Sequence, residues 1–311
     1  MALPGGSQTT SSAISAAVTF MVRRNVLRNL RANLVFADPA YSENGEFDAG
    51  HDVLTFIASP DLPINVTPLT EGQSPNKRAL TFTTVTVSAA QYGDLVAVTD
   101  LLKVKSPVDV VDIASNRLGR QSRESLDQIA RDAIALGGTA AYAGGQTARA
   151  NLAAGHLSTA AELRKLNVKM KKAKIPQFAD GFYRIWIHPN VEFDLRNDTA
   201  TGGFIDVNKY ASPDTILRGE VGRMEGFRIM TVVNAPTFAS TVTVYASIAT
   251  GDIKAWGTGS LQTLRSYHVP AGGDHVDPLA QEELLGWKVA WGIAVLDSTK
   301  YFRFESAATN V

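Results

Sequence analysis

The sequence predicts an α+β fold organised around one long helix and two long strands far apart in the chain. Three observations predict it. Lys77 to Asp100 reads KRALTFTTVTVSAAQYGDLVAVTD, a Thr/Val-rich ribbon with no charge between Arg78 and Asp94. Ser106-Pro107-Val108-Asp109 then opens a helical pattern that runs to Gly137-Gly138. Near the C-terminus Trp287, Val289, Trp291, Ile293 and Val295 alternate with Lys288, Ala290, Gly292 and Ala294, which is strand periodicity.

Composition narrows the function classes. The 311 residues suffice for one large or two ordinary domains, and 45 % apolar content can bury a core. Thirty basic and thirty acidic residues cancel, so overall charge does not advertise nucleic-acid binding. With no cysteine, disulfides, thiolate nucleophiles and Cys-ligated metals are excluded. No run of about 18 apolar residues predicts a membrane helix. AISAAVTFMVRR has the wrong order for a secretory signal, since Arg23 and Arg24 follow its apolar part; the expectation is a cytoplasmically made, unsecreted protein.

The elements follow in order. Residues 1–12 are small and polar and read as an arm. Residues 14–32 have helical spacing, with Arg23, Arg24, Arg28 and Arg31 forming either a solvated face or a contact for phosphates or an acidic partner. Residues 38–78, punctuated by Pro39, Pro60, Pro63, Pro68 and Pro75, make an extended excursion longer than compact domains usually contain. In the ribbon that follows, Leu80 and Phe82 occupy even positions, Val85 and Val87 odd ones. Such a switch of parity signals a bulge, a twist or a change of packing layer.

Ser106 is read as a helix cap and Pro107 as its first residue, with Val111, Leu118, Ser122, Ser125, Ile129, Ala133 and Leu136 as a thin apolar stripe. A helix of this kind is expected to lie across a sheet as a partly exposed brace. GGTAAYAGGQT reads as a flexible linker. Thr159 to Glu162 is a capping box opening a basic helix that ends near Lys174. FYRIWI (182–187) is a strand, His188-Pro189 starts a short helix, and residues 216–231 give short strands with Gly219, Gly222 and Gly226 at the turns. Residues 241–248 alternate as a half-buried strand. In the closing strand the small residues opposite Trp287 to Val295 permit close approach of a helix or another chain, and this strand is expected to pair with the ribbon beneath the long helix.

A search for chemistry finds no catalytic constellation. The five histidines form no i, i+4 pair, and phosphate-loop and serine-elbow motifs are absent. His268, Asp274, His275 and Asp277 cluster in a turn-rich stretch whose spacing selects no metal. Glu282 and Glu283 look like a helix start, where adjacent residues do not face one another. Neither a cofactor nor a metal is expected, nor is enzymatic activity.

Four blocks nevertheless carry a resemblance. PLTEGQSPNKRALTFTTVTVSAAQYGDLVAVTDLL (68–102), LDQIARDAIA (126–135) with YAGG (142–145), IHP (187–189) with Leu195-Arg196, and DPLAQ (277–281) followed by GWK (286–288) occur in one order to the end of the chain. Together they resemble the major capsid proteins of tailed bacteriophages of the N4-like family. The resemblance implies the Hong Kong 97-type coat fold. Its N-terminal arm and basic helix would be residues 1–45 and its extended loop 46–84. Its peripheral domain would be 85–176 with spine helix 106–137, its axial domain 177–286, and the return strand of the peripheral domain 287–311.

Under that resemblance the function is a coat protein. Its copies would assemble into hexamers and pentamers of an icosahedral shell enclosing double-stranded DNA, which it would contact non-specifically. The other implied partners are portal, scaffolding and decoration proteins. No membrane partner is implied. The protein would be made in the host bacterial cytoplasm and reside in the virion capsid. Nothing before residue 14 has room for a scaffolding domain of about 100 residues, so a separate scaffold or none is expected. Val53, Phe56, Ile57, Lys77, Arg78, Leu80 and Phe82 would make intersubunit contacts; Arg23, Arg24, Arg28 and Arg31 would face the shell interior or a neighbour. Two rival readings are an encapsulin-like compartment shell and an α/β enzyme whose site is not visible in sequence.

Overall fold

A computed structural model of the chain describes residues 35–36, 42–46, 53–59, 62–69, 71–72, 74, 77–198, 222–272 and 279–310. The expected N-terminal helix with its four arginines lies outside these residues, as do Asp274, His275 and Asp277 of the His/Asp cluster. The first described elements are β1 (Ser42–Glu46), β2 (Val53–Ala58), β3 (Thr83–Ser88) and β4 (Ala90–Thr99). Helices α1 (Asp100–Lys105) and α2 (Val110–Leu136) follow, then β5 (Thr139–Tyr142), α3 (Ala160–Lys172), β6 (Tyr183–Ile187) and α4 (Pro189–Arg196). The remainder is β7 (Arg223–Met224), β8 (Phe227–Thr231), β9 (Thr237–Phe238), β10 (Val244–Thr250), β11 (Trp256–Val269), β12 (Glu282–Val295) and β13 (Tyr301–Ala307).

The strands form three sheets. One has the order β1-β11-β12-β4, and β12 runs antiparallel to β4 from Glu282↔Thr99 to Trp291↔Ala90, which is the expected pairing of closing strand with ribbon. The second has the order β5-β13-β10-β6-β8-β7, with β9 added beside β10. The third is the two-stranded β2–β3 ribbon. Helix α2 lies across the first sheet, where Ala114, Leu118 and Leu126 pack on Val98, Leu285, Trp287 and Val289.

The small residues of β12 meet a ribbon of the chain itself. Gly45, Gly259 and Gly292 stand side by side across β1, β11 and β12. A Cβ on Gly45 would fall 2.4 Å from the Leu54 side chain, one on Gly257 2.8 Å from the Phe56 ring, and one on Gly292 2.3 Å from the Ser88 carbonyl oxygen. The β2–β3 ribbon therefore rests on a glycine floor, with Leu54, Phe56, Val85 and Val87 inward; Val87 is buried. A second core joins the two larger sheets: Trp186 stacks at 5.8 Å from Phe36 and 6.4 Å from Trp256, which lies 5.5 Å from Tyr301.

Several sequence expectations are corrected. The long helix starts at Val110, because Asp109 Oδ1 accepts from the backbone N–H of Val111 at 3.0 Å and Asp112 at 3.2 Å. Ser106 instead ends α1, a helix capped by Thr99 where a strand ending was expected. The buried stripe of α2 runs through Ala114, Leu118, Leu126, Ala130 and Ile134 rather than Ser125, Ala133 and Leu136. Ser115 and Ser122 can face the sheet because their hydroxyls donate to the carbonyls of Asp112 (2.8 Å) and Gly119 (3.0 Å).

The GGTAAYAGGQT stretch is not a linker. It forms β5, parallel to β13, with Ala141 and Ala143 buried. Strand β10 is buried on both faces rather than one, because it is central in its sheet with a core on either side. Glu282 and Glu283 begin β12, so they point to opposite faces, and Glu283 is buried. The long strand β11, unread in the sequence, lies between β1 and β12 in the first sheet, and β13 lies in the second sheet.

Candidate assembly surface

Between β2 and β3 the chain leaves the body as two extended legs. They are joined by Arg78, whose Nη1 donates to the Pro63 carbonyl at 2.7 Å, and by Ser59, whose hydroxyl donates to the Thr81 carbonyl at 3.4 Å. Asn65 Oδ1 accepts from the Thr67 N–H at 3.2 Å and stiffens the outer part. The legs expose apolar side chains rather than hiding them: Ile64 is 80 % exposed, Val66 86 %, Leu80 59 % and Phe82 64 %. A run of apolar side chains in water marks a contact surface more often than a scattered single residue would.

The seven expected contact residues divide by strand parity. Val53 and Ile57 face outward from β2, whereas Phe56 faces inward onto Gly257 and helps to root the ribbon. Lys77, Leu80 and Phe82 are exposed on the returning leg, and Arg78 is occupied in holding the legs together. The change of face expected between Phe82 and Val85 falls instead at Ala89, between β3 and β4. Inward residues are odd in β3 (Val85, Val87) and even in β4 (Tyr92, Val98).

A second exposed apolar group was missed by sequence reasoning. Helix α1 buries none of its residues, and Leu101, Leu102 and Val104 stand in solvent. The Thr99-Asp100 cap-and-acid pair was the signal that could have shown a helix there. Strand β4 beside it terminates its sheet, so among the described residues one edge of a ten-residue strand has no partner. Such edges invite strand addition.

Buried polar groups inside the body are structural. Glu305, fully buried, accepts from Arg149 Nε and Nη2, each at 2.7 Å, and lies 2.7 Å from Arg303 Nε. This carboxylate raises the Arg149 pKa, mainly through the hydrogen bonds. Arg303 Nη1 in turn reaches the carbonyls of Ala135 and Gly137 at the negative end of α2. Asp127 Oδ1 accepts from the backbone N–H of Val35 (2.8 Å) and Phe36 (2.7 Å), pinning the start of the described chain to α2. His268 lies on β11, not in a loop, and bonds to Glu283, which also pairs with Lys103 of α1. His188 caps α4 by accepting from the Asn190 N–H at 3.1 Å, and burial lowers its pKa. At the surface, hydrogen bonds from Gln121 and the Leu95 N–H hold Asp94 below its ordinary range. Among the described residues no cluster of three metal-ligating side chains occurs, and no helix is long and apolar enough to cross a membrane.

Comparisons with known proteins bear on this geometry. The profile of a family described as "Phage capsid protein" matches residues 81–303. No curated protein matches. Among solved structures, the capsid of the cyanophage P-SCSP1u is 16 % identical with a TM-score of 0.67 and covers 89 % of each chain. The capsid asymmetric unit of the cyanophage Pam1 is 16 % identical with a TM-score of 0.67 over 99 % of each chain. The capsid of the Ralstonia phage GP4 is 17 % identical with a TM-score of 0.66, over 88 % of this chain and 86 % of that one. At these identities the likeness is one of fold.

Proposed function

The chain belongs to the phage capsid protein family, and from that premise we infer that it is the major capsid protein whose copies form the shell of the virion. The encapsulin-like and enzyme readings are not favoured. The finer reading is an N4-like coat protein with the Hong Kong 97-type fold, closing as hexamers and pentamers into an icosahedral shell around double-stranded DNA. It is made in the host cytoplasm and acts by assembly rather than catalysis, with portal and decoration proteins as candidate partners and a separate scaffold or none. Its balanced charge suits a container that must release its genome, because strong neutralisation of phosphates would hold the DNA.

The domain reading keeps the arm at 1–45 and the extended loop at 46–84. The expected axial domain 177–286 and return strand 287–311 are redrawn: β11 and β12 are grouped with α2 and β4 as the peripheral domain, and β13 with β6, β8 and β10 as the axial domain, a grouping that the sheet orders support. Arg23, Arg24, Arg28 and Arg31 are assigned to the shell interior or a neighbour.

One observation carries the assembly mechanism: the legs between β2 and β3 display Ile64, Val66, Leu80 and Phe82 to solvent while their root is packed on the glycine floor. An excursion rooted in one subunit and apolar beyond it is built to be covered by another copy. Replacing residues 60–80 by a short Gly-Ser turn keeps the ribbon, since Ser59 and Thr81 already adjoin. The expected product is a folded subunit that makes no stable shells by electron microscopy and sedimentation. Shells indistinguishable from those of the intact chain would sink the assignment.

A further inference from the structure

Helix α3 carries five cations, Arg164, Lys165, Lys169, Lys171 and Lys172, against one acid, Glu162, in a chain whose total charge is zero. Four of them rim a groove of about 590 Å³ between α3 and the edge of the second sheet. Its lining is apolar: half-buried Tyr142 beside the buried Leu166 and Phe304, with Val168, 48 % exposed, in its wall. The volume is that of a ligand cleft rather than a surface wrinkle.

The cations are not equivalent. Arg164 is held by Glu225 at 2.8 Å, and Lys165 by Glu162 at 2.7 Å. Lys169 and Lys172 have no ion-pair partner among the described residues. The helix also leaves Val168 in water beside Lys169 and one turn before Lys172, where a helix with a purely solvated face would carry a polar residue.

We propose that this groove is a docking site for an acidic amphipathic segment of another protein, its aliphatic or aromatic side chains on the Tyr142–Phe304 floor and its carboxylates on Lys169 and Lys172. Charge complementarity selects the occupant. A duplex nucleic acid would use the cations but, with its bases already stacked, gain nothing from an apolar floor and wall. A purely apolar segment would leave two lysines at the rim unused. An acidic amphipathic helix satisfies both, in the manner of helix-in-groove recognition. The site belongs to the subunit, so the inference stands or falls apart from shell assembly.

The test is fluorescence anisotropy on the full chain with a labelled dodecapeptide, EELLDEFLEELL. Hexaglutamate of equal charge and a short DNA duplex are the comparison probes, and sedimentation is run in parallel. The peptide is expected to bind, and hexaglutamate and duplex to bind at least about tenfold more weakly. Two charge reversals in Lys169→Glu/Lys172→Glu should weaken the peptide about tenfold or more. Val168→Asp should weaken it as well, and Lys171→Glu, off the rim, should not. If the double reversal disturbs the circular dichroism, Lys169→Gln/Lys172→Gln replaces it. The proposal is overturned by no peptide binding, by equal binding of hexaglutamate or duplex, or by indifference to the rim variants. It is equally overturned if the rim variants change the sedimentation of the chain, because a second copy would then be the occupant.

Discussion

Gly292→Ala tests the glycine floor directly. The added Cβ would lie 2.3 Å from the Ser88 carbonyl oxygen and 2.9 Å from Val87 Cγ1. Ordinary contact begins near 3.4 Å, so strand β3 must lift by about 1 Å. The obstacle is a backbone carbonyl, which cannot rotate aside as a side chain could. Two responses compete. Lifting the ribbon in place is an overpacking strain of about 1–3 kcal/mol. Detaching it exposes Leu54, Phe56, Val85 and Val87. Only Val87 is fully buried, so the loss is roughly 4–6 kcal/mol by apolar area. Lifting is cheaper, so the ribbon stays on but is displaced. A chain of this size shifts its Tm by about 2 °C per kcal/mol. The expected fall is therefore roughly 2–6 °C for unassembled subunits in scanning calorimetry, larger for Gly292→Val. Gly257→Ala, whose neighbour is the movable Phe56 ring, should cost less. A wild-type Tm for Gly292→Val would refute the reasoning.

Three further outcomes are expected. Glu305→Ala leaves the half-buried Arg149 without its carboxylate and Arg303 with only the Ala135 and Gly137 carbonyls, and should cost about 3 kcal/mol in chemical denaturation, whereas adding Arg149→Ala to it should cost little more. The His188 imidazole has a folded pKa below its unfolded value, so the unfolded chain binds more protons at acid pH and stability falls as pH drops below about 6.5. His188→Asn keeps a capping side chain and should flatten that part of the Tm–pH curve; an unchanged curve counts against burial as its cause. Ile64→Asp and Val66→Asp should leave subunit Tm unchanged, since surface substitutions stay within about 0.5 kcal/mol, while shell yield by light scattering falls.

What the sequence showed and what it hid follow from the range of the forces involved. Parity and helical spacing are local, so β4, α2, β6, α4 and β12 were legible, and the row Ala290, Gly292, Ala294 announced a close approach. The linker reading of residues 137–147 failed because β5 is held by β13, far along the chain, and small residues that look flexible alone are buried beneath it. Strand β11 was unread because Gly257 and Gly259 break its apolar alternation, and its register with β12 shifts near Gln262. Glu283 could not be placed without Lys103 and His268, nor Glu305 without Arg149. The exposed legs were legible as an excursion from their prolines. Which apolar residues point outward was settled only by the ribbon's packing on the floor, which turns Phe56 in and leaves Ile57 out.

The uncharged ribbon can now be divided by what the subunit's own fold demands. A charge at Val85, Val87, Tyr92 or Val98 would be pressed against the glycine floor or α2, where an unpaired charge costs several kcal/mol. Those positions explain the inward face of the ribbon. Leu80, Phe82, Thr84, Thr86 and Ser88 point to solvent, where a Lys or Glu would change subunit stability by no more than about 0.5 kcal/mol. A surface strand usually carries such charges, which also protect it from pairing with other chains. The fold of one subunit does not require their absence here. A second surface laid over the ribbon does, since every charge it covered would have to be desolvated. The inward half of the ribbon is shaped by the subunit's own core; the outward half fits the proposed role as a surface that a neighbour covers.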